Sequence, residues 1–312
     1  MITIQTIIDG NCKIIKNLFD SIASKNVKFL VTNIGADSET IKICNSYDVE
    51  IDYQTQTTDY SEALNLSLPK ITTNHCLYLN PWEQYLSGDF ESLNERIYNV
   101  SVISNNIIVK EPRIWLKSSG IKFKNPICQT LTEKTDNLSN FVILSIPQDN
   151  TDKLKKITNW CIKDPTNVDA TYYNAAYQLI LGNHENFLNM SEKYMRLNKK
   201  KSIASTMNKY YFSMVKAFQK QDSKAAIQNL IQCIEYYPLM AEFWCLLGDI
   251  YYENLHQYEM AAEFYENGYI LGSQRKTNDQ WPIDIDKYDT YPKKMIESCK
   301  ALVLTKKQIL VR

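Results

Sequence analysis

Glycine and proline are scarce, eight and nine among 312 residues, which argues against long disordered linkers. Net charge is missing too, with 35 Lys and Arg against 35 Asp and Glu. That balance gives no electrostatic case for nucleic acid or an anionic membrane. No two of the eight cysteines stand at C-x-x-C spacing, so neither a zinc site nor a disulfide framework is expected, and the usage fits a reducing compartment. No apolar run approaches the ~20 residues that span a bilayer. Met1-Ile2-Thr3-Ile4-Gln5 lacks the basic start of a secretory leader. The expectation is a cytoplasmic protein. What is present is apolar residue: 44% of the chain is hydrophobic, enough for substantial cores, and the length suggests two domains.

The first half alternates strand and helix patterns. Strands read at 2–8, 27–31, 49–53 and 75–79, with helical spacing at 11–23, 37–47 and 59–68. Asp59-Tyr60-Ser61-Glu62 has the form of a capping box. This alternation predicts a mainly parallel sheet with helices on both faces. The stretch His75-Cys76-Leu77-Tyr78-Leu79-Asn80-Pro81-Trp82-Glu83 ends a buried strand at a polar residue and a proline. In open α/β sheets ligands bind at such carboxyl ends.

Five segments in order over residues 2–131 carry a resemblance. They are Asn11-Cys12-Lys13 with Leu18-Phe19-Asp20-Ser21-Ile22, Val31 to Thr40, Asp59 to Asn65, the strand ending at Asn80, and Glu111 to Trp115 with Gly120 to Phe123. Together they resemble family 2 glycosyltransferases of the group that carries tetratricopeptide repeats after the transferase domain. The resemblance implies a GT-A-like α/β domain, of the nucleotide-diphospho-sugar transferase type. It also implies a divalent metal and a diphosphate held by two aspartates, at the positions of Asn80 and Trp82 here. The family's nucleotide-contacting Asp falls on Asn33, its paired acids on Cys12 and Lys13, a diphosphate-contacting Arg on Leu64, and its His-Glu on Cys128 and Gln129. Hard divalent cations want carboxylate oxygen, so these substitutions imply a degraded, metal-free site. Asn33, Asn80 and Trp82 remain candidates for a sugar or nucleotide cleft. Trp82 reads either as a stacking platform or as a plug. Glu83, Asp37 and Asp59 read as helix-start acids or caps, and His75 as a satisfied, half-buried histidine.

Thr132 to Asn140 is polar and reads as a domain boundary, followed by an apolar strand at 141–146. From Asp152 onward the pattern is helical, with a period near 34 residues, the length of a tetratricopeptide unit. Trp244, Leu247, Gly248 and Tyr251 fit that repeat's signature, and Ala261 and Tyr265 follow with a one-residue insertion near Gln257. Ala226, Leu230 and Cys233 fill packing positions of the preceding unit, and a poorer unit begins near Asp169. Lys199-Lys200-Lys201 reads as a charged turn. Trp281 to Tyr291 reads as a connector, and Lys293 to Leu310 as a capping helix. Repeats of this kind stack and leave a concave groove. Its first-helix positions are Tyr173, Tyr177, Asn208, Tyr211, Val215, Glu242, Asp249 and Tyr252, and the alternative is that the tyrosines only pack.

The expected architecture is a GT-A glycosyltransferase-like domain over 1–148 and an all-α tetratricopeptide-repeat domain over 149–312. The expected function is a glycosyltransferase-like pseudoenzyme that binds a sugar, a nucleotide sugar or a protein, with no cofactor and a protein partner in the groove formed by Tyr173, Tyr177, Tyr211, Asp249 and Tyr252. Two alternatives stand beside it. One is an active transferase with a rearranged site, which would need a nucleotide sugar and a divalent metal. The other is a structural assembly protein.

Overall fold

The computed structural model describes residues 1–135, 137–275 and 282–310, with side chains through Lys306. The start of the expected connector, Trp281, lies outside the described residues. The chain divides into two compact units: the first takes in Met1–Asp149 and, of the later described residues, Pro282, and the second runs from Asn150 and resumes at Ile283.

In the first unit, β1 (Ile2–Gly10) is buried from Ile2 through Ile8, as expected of a strand covered on both faces. It pairs in parallel with β2 (Val27–Ala36) and with β4 (His75–Tyr78), while β3 (Val49–Tyr53) lies parallel to β2. Beyond β4 the pattern changes. Strands β5 (Glu83–Ser87), β6 (Ile97–Ser104), β7 (Ile107–Leu116) and β10 (Leu138–Ser145) complete the order β3-β2-β1-β4-β7-β6-β10-β5. The β4–β7, β6–β7 and β10–β5 pairs are antiparallel. Four of the seven neighbouring pairs in this order are parallel and three are antiparallel, so the sheet is mixed, with its antiparallel pairs all beyond β4. The reason is local: β6 returns as β7 through Asn105-Asn106, with Asn105 at φ 52, a conformation asparagine tolerates better than most residues. Two short strands, β8 (Phe123–Lys124) and β9 (Thr130–Leu131), form a separate ladder.

Helices cover both faces. Helix α1 (Ile15–Ile22) buries Ile15, Leu18, Phe19 and Ile22, one stripe at helical spacing, against Ile4, Ile8, Phe29 and Val31. Helix α2 (Ser38–Asn45) starts at Asp37, whose carboxylate accepts from the Thr40 amide at 2.8 Å. Helix α3 (Tyr60–Ser67) packs Ala63 and Leu64 on the opposite face with Ile7, Leu30 and Trp115. Asp59 caps α3 through the Glu62 amide at 3.0 Å, and its own amide donates to Thr57 Oγ1.

The polar stretch 132–140 is not a domain boundary. The Asn99 amide donates to the Asn137 carbonyl at 2.8 Å, Asn99 Nδ2 donates to the Thr135 carbonyl, and Leu138 pairs with Asn99. These bonds satisfy backbone and amide groups beside a buried strand, which is why polar residues sit there.

The second unit is helical. After α4 (Thr151–Lys163) come three helix pairs: α5 (Val168–Ile180) with α6 (His184–Leu197), α7 (Ile203–Gln219) with α8 (Ser223–Tyr236), and α9 (Ala241–Asp249) with α10 (Tyr258–Gly272). Turns of three residues at 181–183, 220–222 and 255–257 reverse the chain within each pair. Side-chain caps open α5 (Asn167), α7 (the reciprocal Ser202–Ser205 box) and α8 (Asp222). Ala226, Leu230 and Cys233 are fully buried, as are Ala261 and Tyr265. The inserted residue is absorbed upstream of Gln257. Ile250–Asn254 form a π-helical turn, and the Leu255 amide reaches back to the Ile250 carbonyl; a π turn takes up one extra residue. Helix α11 (Thr290–Leu310) closes the unit by packing Cys299 beside Tyr265.

Candidate functional site

At the carboxyl end of β4 the side chains bond to one another, and only Nη1 of Arg113 among the described atoms of this network is buried without a hydrogen-bond partner. Tyr78 Oη donates to Asn80 Oδ1 at 3.1 Å. The Asn80 amide donates to Glu83 Oε2 at 2.7 Å, and Asn80 Nδ2 donates to Glu83 Oε1 at 2.9 Å. Arg113 pairs with both Glu83 and Glu111, and its guanidinium lies 5.3 Å from the centre of the Tyr78 ring. Burial opposes the Arg113 charge, but the two carboxylates outweigh it and raise its pKa further. Glu83 therefore does not start a helix: it opens β5 at 2% exposure and anchors this network. Trp82 is half-buried, and its carbonyl accepts from the Ile146 amide.

The other positions of the expected cleft are also engaged. Asn33 Oδ1 accepts from the amides of Gly35 and Ala36 at 3.0 and 2.9 Å, which uses both lone pairs on a turn. Leu64 is buried, and its carbonyl accepts from Gln5 Nε2. Lys13 pairs with Glu39 at 2.7 Å. Burial pushes the Cys12 thiol up to about 12, so it stays protonated at neutral pH. Cys128 is half-buried, and Gln129 Nε2 reaches only the Pro126 carbonyl, at 3.4 Å. The His75 ring lies 3.4 Å from the Glu95 carbonyl, and burial lowers its pKa. Among the described residues no three His, Cys, Asp or Glu side chains form a group that could hold a metal ion.

The helical unit is different. Tyr173, Tyr177 and Tyr211 are half-buried on α5 and α7. The Tyr173 ring lies 5.5 Å from Tyr172, Lys153 sits 5.3 Å from the Tyr177 ring centre, and Tyr211 stacks edge-on to Tyr210. Of the remaining groove positions, Asn208 and Val215 are buried, so they pack rather than line a surface. Tyr252 is half-buried beside Tyr258.

Glu242 and Asp249, on α9, are covered by the unit's own C-terminal stretch. Tyr288 Oη and the Asp284 amide donate to Glu242 at 2.6 and 3.1 Å, with Arg275 at 3.7 Å. Asp249 accepts from Tyr265 Oη at 2.7 Å and from Tyr291 Oη, and Lys287 stands 3.6 Å away. Lys287 also lies 3.4 Å from the centre of the Tyr291 ring. Burial raises the Glu242 pKa, and the Tyr288 hydrogen bond offsets part of the rise. The stretch 283–291 thus lays two tyrosines and a lysine onto two acids of the last helix pair. Sequence reasoning placed both acids in an open groove and missed their partners. The only signal was the density of Tyr, Asp and Lys in an otherwise irregular segment.

No protein-family model matches the chain, and no curated protein matches it. Among solved structures it is similar to MamA 41-end from Desulfovibrio magneticus RS-1, at 20% identity over 52% of this chain and 85% of that one, with TM-score 0.37. It is also similar to the Sgt2 TPR domain from Aspergillus fumigatus, at 11% identity over 45% and 82%, with TM-score 0.35. A third is the APC/C hetero-tetramer Cut9-Hcn1, at 15% identity over 40% and 23%, with TM-score 0.34.

None of these is a glycosyltransferase, and the family 2 resemblance, with its GT-A fold and transferase-like function, is withdrawn. The residues that carried it have structural roles here. Asn65 clamps the Phe123 backbone through two hydrogen bonds of 2.9 and 2.8 Å, Ser61 donates to the cap Asp59, and Tyr78 packs edge-on against Phe123. What stands is an N-terminal unit built on a mixed sheet and a C-terminal unit of helical hairpins. No described helix is long and apolar enough to cross a membrane.

Proposed function

We propose that the chain is a protein-interaction scaffold that works through its helical repeats, in the manner of a structural assembly protein. The observation that carries this reading is the docking of 283–291 onto Glu242 and Asp249. It supports the view that the face formed by the first helices holds an extended chain segment through paired acids and aromatics. On this reading Asp249 and Tyr252 belong to the part that the chain fills itself. Tyr173, Tyr177 and Tyr211 belong to the part that takes a partner. Tyrosine suits that task because it offers large contact area at low entropic cost. Tyr211 stands at the border: burial raises its pKa most, and the charges of Glu242 and Asp284 add to the rise.

The test is selection of a random-peptide library on the immobilised full chain, with the triple variant Tyr173→Ala, Tyr177→Ala, Tyr211→Ala as counter-target. Circular dichroism checks that both are equally helical. Selected peptides should bind the triple variant at least about tenfold more weakly, since aromatic anchors carry much of such interfaces. Peptides that bind both chains equally would place recognition elsewhere.

A further inference from the structure

The turn between α6 and α7 holds a feature that the scaffold reading does not use. A pocket of about 240 Å³ opens there, lined by Asn198, Lys199, Lys200, Lys201, Lys209 and Tyr236 among others. Its shape comes from α6, α7 and α8. Tyr194, buried on α6, accepts from Asn198 Nδ2 at 2.7 Å. Asn198 Oδ1 in turn accepts from the Lys200 amide at 3.0 Å, which fixes the path of the three-lysine run. Tyr236, at the end of α8, lies beneath two ammonium groups, Lys201 at 4.1 Å and Lys209 at 6.0 Å from the ring centre. Lys209 also donates to Gln232 Oε1 at 2.7 Å.

All these restraints are neutral: two amides and an aromatic ring. Elsewhere in the helical unit Lys155, Lys220, Lys287, Lys293 and Lys300 each pair with a carboxylate. None of the four pocket lysines does so among the described residues, although Glu192 and Glu235 lie exposed on α6 and α8. Four lysines thus line one concavity, two of them with ammonium groups over the Tyr236 ring, and none is paired with a carboxylate among the described residues. A charge run at a turn is ordinarily a solvated face. Here the run is joined by a fourth lysine from the next helix and by an aromatic floor.

We propose that this pocket binds a phosphate group, as a phosphate monoester or a pyrophosphate. The lining contains lysine and no arginine. Lysine binds phosphate as a set of separate point charges, without the fixed bidentate fork of arginine. A phosphate monoester carries close to two charges and three acceptor oxygens at neutral pH, which separate ammonium donors can share. The site does not involve Tyr173, Tyr177 or Tyr211 and stands independently of the partner groove.

Isothermal titration of the full chain with pyrophosphate, and separately with a phosphoserine peptide and its unphosphorylated form, tests the proposal. Lys200→Gln with Lys201→Gln, and Lys209→Gln alone, are the pocket variants. Lys155→Gln with Lys163→Gln is the control on α4. A saturable phosphate-dependent isotherm is expected, weakened about tenfold or more by the loss of a charge-assisted contact in each pocket variant and unchanged in the control. Binding of both ligands marks the phosphate group itself as what is recognised. Binding of the phosphopeptide alone assigns the group to a protein segment. No phosphate-dependent heat with either ligand, or equal weakening in the control, overturns the proposal.

Discussion

Replacing Gly248 with alanine tests the repeat register with a single methyl group. A Cβ built on Gly248 would lie 2.6 Å from Cε1 of Tyr265 and 2.8 Å from two further ring atoms. That is inside any tolerable contact, so the ring must move. Tyr265 is fully buried, its hydroxyl is hydrogen-bonded to Asp249 at 2.7 Å, and Tyr291 packs 6.1 Å from it centre to centre. Overpacking costs about 1–3 kcal/mol, and losing a hydrogen bond to a charged group costs about 1.5–3 kcal/mol. The better helix propensity of alanine returns about 1 kcal/mol. The net expectation is destabilisation of the helical unit by about 1.5–5 kcal/mol. Urea unfolding of the full chain, followed by far-UV circular dichroism, reads it. In a Tyr265→Leu background the cost should fall below about 1 kcal/mol, because the two sites couple directly. A Gly248→Ala chain that unfolds at the wild-type midpoint, or above it, would refute the packing of α9 on α10 described here.

Further expectations concern both units. Burial pushes the Asp52 pKa up, but Lys70 at 2.6 Å, with Ser67 and Gln54, outweighs it and holds the carboxyl below its ordinary value. Its stabilisation is therefore present above the unfolded value and is lost as pH falls through the lowered one. Asp52→Asn should cost about 1–3 kcal/mol at pH 7 and flatten the acid limb of the stability profile; an unchanged limb would contradict the Asp52–Lys70 assignment. Glu242→Ala should speed amide exchange across 283–291, read by hydrogen-exchange mass spectrometry, because the Asp284 amide and Tyr288 hydroxyl lose their acceptor. Equal protection would show that the stretch is held by other contacts. Millimolar manganese should leave the thermal midpoint unchanged, since a cation that binds the folded chain raises it; a rise would reveal a carboxylate site.

The parts legible in the sequence were those with local periodicity. Strands β1, β2 and β4 announce themselves as apolar runs and β3 as a short β-branched one broken by Glu50 and Asp52, while Gly248, Leu230 and Tyr265 mark helix packing by spacing alone. Strand β5 was hidden because it opens on Glu83, where the sequence showed only a helix-start acid. Burial of Glu83 is explained by pairing with Arg113, a residue 30 positions away, and no local pattern reports that. Coverage of Glu242 and Asp249 was illegible for the same reason, since their partners lie 42 to 46 residues downstream. The transferase resemblance misled because it rested on caps and turns. Asp59, Gly35 and Asn65 recur wherever a chain must start a helix, turn sharply or clamp a neighbouring backbone.

The central claim, that the helical repeats are where partners bind, is tested most directly by cross-linking mass spectrometry of the full chain recovered from the cell that makes it. Partner cross-links are expected at lysines of the helical unit, with Lys153 beside Tyr177 prominent, and should be lost in the Tyr173→Ala, Tyr177→Ala, Tyr211→Ala variant. Partner cross-links confined to residues 1–149, or undiminished by the triple substitution, would contradict it.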